Sequence, residues 1–198
     1  MTTIVWPSSL SVVAALDLSI EYDVQLNIAR SGRVDTYGLP GARLVAVVTF
    51  AADKETRYRP QIEALVASLR GGARALSMHH LGRPTPNGTL TGSPTVATAT
   101  AKGDNTIALA NCNGTLKAGD MIGVGTELFM VEEDATPVSS AMTVKVSPAV
   151  RSINAIGTAV IWNNPKILWI PRSNVAGPFP FVGGNLRPGF SLELVERG

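Results

Sequence analysis

The chain has 198 residues, of which 45% are hydrophobic and 16% are charged, and its formal net charge is +2. The small net charge and the scattered basic residues exclude the dense basic stripe that a nucleic-acid-binding surface needs. No stretch approaches the roughly 18 consecutive apolar residues of a membrane-spanning helix.

The charged fraction is below the ~25% that is usual for soluble domains. We therefore expect partner proteins to cover part of the surface, although a globular protein with few charges would have the same composition. Cys112 is the only cysteine, so no intrachain disulfide can form and stability must come from packing or from association.

The first half of the chain is predicted to form a sheet and one helix. Residues 12–28 alternate between apolar and polar side chains, which predicts a long strand with one wet face. A second β-like run, residues 43–50, is predicted to pair with it in an antiparallel sheet. A helix is predicted at about residues 58–70, where Pro60 suits the first turn and Gly71 follows the last apolar position.

The composition changes at residues 82–88, a cluster of Gly, Pro and Asn that is typical of a domain boundary. From residue 89 to residue 161, Phe129 is the only aromatic residue and short runs of Thr, Ala, Val and Gly predominate. Six short strands are predicted here, at residues 95–100, 106–109, 121–124, 128–131, 142–146 and 159–162. Such spacing is typical of a small barrel.

Beyond this insertion, residues 166–170 and 190–196 have the pattern of strands that return to the first sheet. The predicted fold is therefore mainly β: a β-sandwich with one packed α-helix and an inserted small OB-like β-barrel. The predicted domains are residues 1–88 for the first part of the sandwich, 89–161 for the barrel, and 162–198 for the return strands.

The stretch Leu-Lys-Ala-Gly-Asp-Met-Ile-Gly-Val-Gly, residues 116–125, has the glycines of a phosphate-binding loop. However, those glycines fall between strand-like runs, and no helix follows them, as a phosphate loop would require. We interpret Gly123 and Gly125 as part of a tight turn or bulge.

Catalytic and metal-binding patterns are not found. His79 and His80 are adjacent, so in a strand they face opposite sides and cannot chelate one metal ion together. The acidic run of residues 132–134 lacks the spacing of a calcium loop. No His or Lys adjoins Cys112 to activate its thiol, and Asn-Gly-Thr at residues 87–89 and 113–115 matches the glycosylation pattern only as a short motif. We predict no catalytic residue, no metal and no cofactor, hence a protein that is not an enzyme.

The order of these features resembles the distal tail (baseplate hub) proteins of long-tailed bacteriophages and related tail-like particles. The resemblance covers most of the chain and depends on several segments together. They are LPGAR (39–43), RPQIEALVASLRG (59–71), PNGT (86–89), LKAGDMIGVG (116–125), VSPAVR (146–151), NP (164–165) and FSLELVE (190–196).

The resemblance implies a structural virion protein, made in the host cytoplasm and located at the tail tip. It implies a homo-oligomeric ring, usually a hexamer, that binds the tail tube protein on one side and tail-tip hub or fibre proteins on the other. DNA would pass through the lumen, and no membrane would be involved.

Exposed aromatic residues are common interface anchors. Four that lie in turn-rich segments are therefore predicted to contact neighbouring proteins, unless they fill the edge of the sandwich: Trp6, Tyr37, Phe179 and Phe181.

Other functions stay open from the sequence alone. The chain could be a different tail component, such as a tube, terminator or tail-tip accessory subunit. It could also be a carbohydrate-binding module, because OB-like barrels can bind oligosaccharides, although the predicted barrel has almost no aromatic residues for stacking on sugars.

Overall fold

The computed structural model describes residues 2–8, 10, 13–28, 30–51, 58–174, 181–182, 185–186 and 191–197. The chain divides into two compact units. The first comprises Met1–Ser19, Val45–Gly82 and Lys166–Arg197, and the second contains Ile20–Leu44 and Arg83–Pro165.

The described residues form one α-helix, α1 (Arg59–Ser68), and fourteen strands. The strands are β1 (Thr3–Val5), β2 (Val13–Ile28), β3 (Val34–Phe50), β4 (Ala75–His79), β5 (Thr95–Val96), β6 (Thr106–Ala110), β7 (Met121–Val124), β8 (Glu127–Val131), β9 (Met142–Ser147), β10 (Val160–Ile161), β11 (Lys166–Pro171), β12 (Phe181–Val182), β13 (Asn185–Leu186) and β14 (Ser191–Glu196). The predicted class, mainly β with one helix and a small barrel, is confirmed.

The first sheet has six strands in the order β1-β4-β11-β14-β3-β2. Strand β1 runs parallel to β4, whereas the β4–β11, β11–β14 and β14–β3 pairs are antiparallel. Strand β2 is the last in this order, and it lies next to β3, so the two runs are neighbours in the sheet as predicted. The separate pair β12 and β13 is antiparallel.

Helix α1 places its apolar stripe in the core of the first unit. Ile62, Leu65, Val66 and Leu69 are all buried. The helix is followed by a short 3-10 turn in which Gly71 has φ +61°. A Cβ atom at Gly71 would lie 2.5 Å from the backbone oxygen of Asn174, so this stop signal needs glycine for both its backbone angle and its space.

Strand β3 begins nine residues earlier than the predicted run, and it includes Pro40 and Gly41. Among the described residues, β14 pairs with Val45 to Thr49 of β3. The turn-like Leu-Pro-Gly sequence therefore lies in the part of β3 before this pairing begins.

The second sheet is a six-stranded barrel in the order β10-β7-β8-β9-β6-β5, and its neighbouring strands pair antiparallel. It closes where a bridge between Thr95 and Ala159 joins the two end strands. Val96 N–H donates to the Thr158 oxygen (2.9 Å), and Gly157 N–H donates to the Val96 oxygen (2.8 Å). All six strands that were predicted between residues 95 and 162 are present, with shifts at their ends.

The barrel interior is packed with side chains and has no need of a disulfide. Cys112 is buried and reduced. The side chains of the core are chiefly aliphatic: Leu90, Val96, Ile107, Leu109, Leu116, Ile122, Val124, Phe129, Val131, Val144, Val146 and Val160. Such a filled barrel is a packed core and leaves ligands only its outer surface.

Candidate functional site

The glycine-rich stretch is a β-hairpin. Strands β7 and β8 pair from Met121↔Met130 to Val124↔Glu127, so only Gly125 and Thr126 connect them. Gly125 has φ +60°, as a tight hairpin turn requires. The turn interpretation is confirmed for Gly125 but is wrong for Gly123, which lies within β7 and pairs with Leu128. These glycines do not precede a helix, so they lack the geometry of a phosphate loop.

Buried carboxylates of the barrel hold its loops in place. Asp120 accepts hydrogen bonds from three backbone amides: Asn87 (2.6 Å), Lys117 (2.7 Å) and Gly88 (3.1 Å). Glu127 accepts two hydrogen bonds from Arg151, at 3.0 Å from its backbone N and 3.1 Å from its Nε. Both carboxylates are thus engaged in holding chain segments that are distant in sequence.

Within the described ranges, no group of three His, Cys, Asp or Glu side chains could hold a metal ion. The acidic residues 132–134 are exposed and paired with lysines: Lys145 lies 2.8 Å from Glu133 and 3.4 Å from Glu132, and Lys117 lies 2.6 Å from Asp134. The hydrogen bond from Lys117 lowers the pKa of Asp134, and the bond to Glu133 raises that of Lys145.

The first unit contains a cavity of about 470 Å³. It is lined by Trp6, Ser8, Leu10, Val13, Ala15, Leu16, His79, Leu81 and Gly82. Burial in this mostly apolar surrounding lowers the pKa of His79, and the positive charge of Lys166 lowers it further. His79 is therefore biased toward the neutral imidazole.

The four predicted anchor residues have different surroundings. Trp6 is half-buried, and its ring stacks on Phe50 with centroids 6.4 Å apart and planes 10° apart. The backbone of Tyr37 lies in strand β3 and that of Phe181 in strand β12, so neither is in a turn, whereas Phe179 lies outside the described residues. The role of these residues as interface anchors stays a prediction.

Several exposed apolar side chains lie on the distal part of the two long strands. We call residues 20–44, the distal parts of β2 and β3 with the loop between them, the arm. Along the apolar face of β2, Leu16, Leu18 and Ile20 are half-buried. Farther along the same strand the apolar positions are exposed: Tyr22 by 56%, Val24 by 45% and Ile28 by 74%. Val34, at the start of β3, is 53% exposed.

Strand β2, whose distal part belongs to the arm, is sixteen residues long, and among the described residues it is the last strand in the order of its sheet. A long exposed edge is a template for pairing with another chain, and natural proteins normally shorten it, charge it or cover it. Together with the exposed apolar positions, this edge makes the arm a candidate contact surface for another protein.

The charges of the arm are balanced. Its acidic residues are Glu21, Asp23 and Asp35, and its basic residues are Arg30, Arg33 and Arg43, so its net charge is zero. Arg33 Nε lies 3.0 Å from Asp35 Oδ1. A surface of this kind adds no net charge to a contact with another protein surface.

The arm also has a hydrogen bond to the barrel strand β9 and a polar cleft. The Tyr22 hydroxyl lies 2.7 Å from the Ser147 hydroxyl, so one end of this side chain is fixed while part of its ring faces solvent. A polar cleft of about 410 Å³ is lined by Glu21, Tyr22, Asp23, Gly41 and Arg43.

A shallow groove of about 290 Å³ lies on the barrel, along the seam between β5 and β10. Trp162 lines it together with Thr95, Ile161 and Asn163, and its Nε1 donates to the Gly92 oxygen at 3.1 Å. Trp162 ends the last of the six strands predicted from the sequence, residues 159–162, but it lies one residue beyond the predicted domain boundary at residue 161 and was not among the predicted site residues.

No helix in the described part of the chain is long and apolar enough to cross a membrane. Neither a protein-family model nor a curated protein sequence matches the chain.

Proposed function

We propose that this protein is a structural subunit of a homo-oligomeric ring at the distal end of a bacteriophage tail or tail-like particle. The observation that carries the proposal is the arm: a long strand edge with exposed apolar side chains and balanced charge. The resemblance of the sequence to distal tail proteins supplies the biological setting.

A closed ring repeats one heterologous contact, so each subunit must offer two surfaces that complement each other. In this proposal the arm is one of the two surfaces and contacts a different surface of the next subunit. It combines β2, the last strand in the order of its sheet among the described residues, with a row of exposed apolar side chains. Covering Tyr22, Val24, Ile28 and Val34 would remove apolar surface from water at about 25 cal/mol for each Å² buried. A closed ring contains one more such contact than an open chain with the same number of subunits, so the contact free energy favours the closed ring.

In this role the protein performs no chemical reaction and requires no cofactor. We propose that the ring is a hexamer, that one face binds the last ring of the tail tube protein, and that the other binds tail-tip hub or fibre proteins. DNA would pass through its lumen without being recognised, in keeping with the small net charge of the chain. The protein would therefore be located at the tail tip of the virion.

Negative-stain electron microscopy of the purified full chain tests this proposal. We expect rings with a central hole and six-fold class averages. A different symmetry number, or stacking into tubes, would favour another tail component such as a tube or terminator subunit. Particles without a hole at any concentration would contradict the ring.

The second candidate function is carbohydrate binding by the barrel. The supporting observation is Trp162, because an aromatic ring beside Thr95 and Asn163 offers both a stacking surface and polar groups. Titrating a panel of oligosaccharides while recording tryptophan fluorescence tests it, with Trp162→Ala as the negative control. Saturable binding that this variant abolishes would support the candidate, and an unchanged spectrum would reject it.

A further inference from the structure

The tetrapeptide Asn-Gly-Thr-Leu occurs twice in the chain, at residues 87–90 and 113–116, and these two copies contain its only Asn-Gly dipeptides. The structure brings the two copies together. The hydroxyl oxygens of Thr89 and Thr115 are 3.3 Å apart, and Leu90 N–H donates to the Thr115 oxygen at 3.0 Å. Both leucines are buried in the barrel core.

The packing of the two copies is reciprocal. Thr115 N–H donates to the Thr89 hydroxyl at 3.1 Å, and Thr89 N–H donates to the Thr115 hydroxyl at 3.5 Å. A Cβ atom at Gly88 would collide with the Thr115 carbonyl, and one at Gly114 would collide with the Thr89 carbonyl. Asn87 and Asn113 are both exposed. The sequence, the exposure and the steric surroundings of the two Asn-Gly bonds are thus closely matched.

An Asn-Gly bond can deamidate without an enzyme. The backbone nitrogen of the glycine loses its proton and attacks the side-chain Cγ of the asparagine. A new N–C bond closes a succinimide ring, and the side-chain nitrogen leaves as ammonia after taking up a proton. Water then opens the ring at either carbonyl, which gives aspartate or isoaspartate. The net change is the addition of one water and the loss of one ammonia, with no oxidant or reductant.

The two copies differ in what holds the attacking amide. Gly88 N–H donates to Asp120 Oδ2 at 3.1 Å, and Asn87 N–H donates to Asp120 Oδ1 at 2.6 Å. A carboxylate beside Gly88 disfavours loss of its amide proton, because the resulting anion would face a negative charge and the hydrogen bond would be lost. The first copy is therefore protected.

At the second copy, Asn113-Gly114, the contacts favour loss of the glycine amide proton. Among the described residues, the Gly114 amide has no hydrogen-bond acceptor. The oxygen of the Asn113–Gly114 peptide bond accepts from Thr91 N–H at 2.6 Å and from the Thr91 hydroxyl at 3.1 Å. When the Gly114 nitrogen loses its proton, the charge spreads onto this oxygen, and the two donors stabilise it there.

We propose that Asn113 is a site of spontaneous deamidation in the folded protein and that Asn87, its counterpart in the repeat, is protected by Asp120. The modification places a new negative charge on the barrel. In its isoaspartate form it also adds a backbone atom at the bridge between Thr91 and Asn113.

The test is peptide mapping by mass spectrometry of the full chain after incubation in mildly alkaline buffer, in the folded state and in denaturant. In the folded protein we expect Asn113 to convert at least about tenfold faster than Asn87, because a hydrogen bond to a charged group protects only Asn87. In denaturant the two identical tetrapeptides should convert at similar rates. The proposal is overturned if Asn87 converts as fast as Asn113 in the folded chain, or if neither converts while the denatured chain does.

Two variants test the cause. Thr91→Val keeps the side-chain shape and removes the hydroxyl donor, so Asn113 should convert several-fold more slowly, as expected for the loss of one hydrogen bond. Asp120→Asn should accelerate conversion of Asn87 and leave Asn113 unchanged. Unchanged rates at both sites in both variants would contradict the assigned cause. If Asp120→Asn does not fold, the comparison of Asn87 with Asn113 in the native chain still decides the proposal.

Discussion

At the scale of single residues, polar side chains that are buried in the barrel join segments far apart in sequence. Asp120 connects the start of the barrel, at Asn87 and Gly88, to the turn at Lys117. Asn154 is buried, and its backbone N–H donates to the Thr100 hydroxyl at 3.0 Å. Leaving a buried acceptor without its donors costs more free energy than a formed hydrogen bond contributes. Such residues therefore favour the one arrangement of the loops in which their hydrogen bonds are made.

The ion pair between Glu127 and Arg151 supports a first prediction. The side chain of Glu127 is 4% exposed and that of Arg151 is 18% exposed. Arg151→Ala removes the Nε donor and leaves a buried carboxylate without its ion-pair partner, which should lower the free energy of unfolding by about 3 kcal/mol. Chemical denaturation measures this loss.

The matched controls separate the charge from the packing. The double variant Glu127→Gln, Arg151→Met removes both charges and should recover most of the lost stability. Lys145→Ala removes two ion pairs on the surface, with Glu132 and Glu133, and should change stability little. A double variant as unstable as Arg151→Ala would show that the charge is not the cause.

His79 supports a second prediction, on pH dependence. Its pKa is lowered from 6.5 in the folded state, chiefly by burial, so the unfolded chain binds more protons in the range between the two values. The contribution of His79 to stability is therefore complete above pH 6.5 and is lost as the pH falls from 6.5 to the lower folded-state value.

Unfolding titrations across this pH range measure the effect. His79→Gln cannot take up the proton, so its stability should fall less steeply than that of the wild type below pH 6.5, while His80 is present in both proteins as a control. Equal slopes for the two proteins would refute this assignment.

At the scale of elements, periodicity was sufficient to place most strands and the helix. The alternation in β2 and the stripe of Ile62, Leu65, Val66 and Leu69 are local patterns, and the structure contains both elements. Strand β3 was predicted too short because Pro40 and Gly41 resemble a turn, whereas the structure places both residues within the strand. Partners such as Asp120 with Asn87, 33 residues away, leave no periodic signal.

The helix supports a third prediction. Leu69 is fully buried at the C-terminal end of α1. Leu69→Ala should lower the free energy of unfolding by about 2–5 kcal/mol, because it removes apolar contacts and leaves a cavity. Thermal and chemical denaturation measure the change. Ala67→Ser, at an exposed position of the same helix, is the control and should alter stability little.

At the scale of the whole molecule, the sequence correctly indicated a mainly β chain with a small barrel. It did not indicate which apolar side chains would be exposed to solvent. The alternation of β2 assigned one face to the interior along the whole strand. The structure covers that face only in part: Leu16 and Leu18 are half-buried, whereas Val24 and Ile28 are exposed. Periodicity shows which side chains share a face, but it does not show where that face lacks a partner within the chain.

Assembly through the arm is the fourth prediction. The double variant Val24→Lys, Ile28→Lys places two positive charges on the exposed apolar positions of β2, so the contact between subunits should fail through desolvation and repulsion. The matched control is Val138→Lys, because Val138 is a still more exposed apolar residue on the barrel. Circular dichroism spectra of all three proteins should coincide, because none of these side chains is buried in the fold.

Native mass spectrometry of the wild type and these two variants, at the same subunit concentration, tests the central claim most directly. The proposed function predicts a six-subunit species for the wild type and for Val138→Lys, and a monomer for the arm variant. A wild-type chain that stays monomeric, or an arm variant that assembles as fully as the wild type, would contradict the assignment of the arm as the surface that closes a ring.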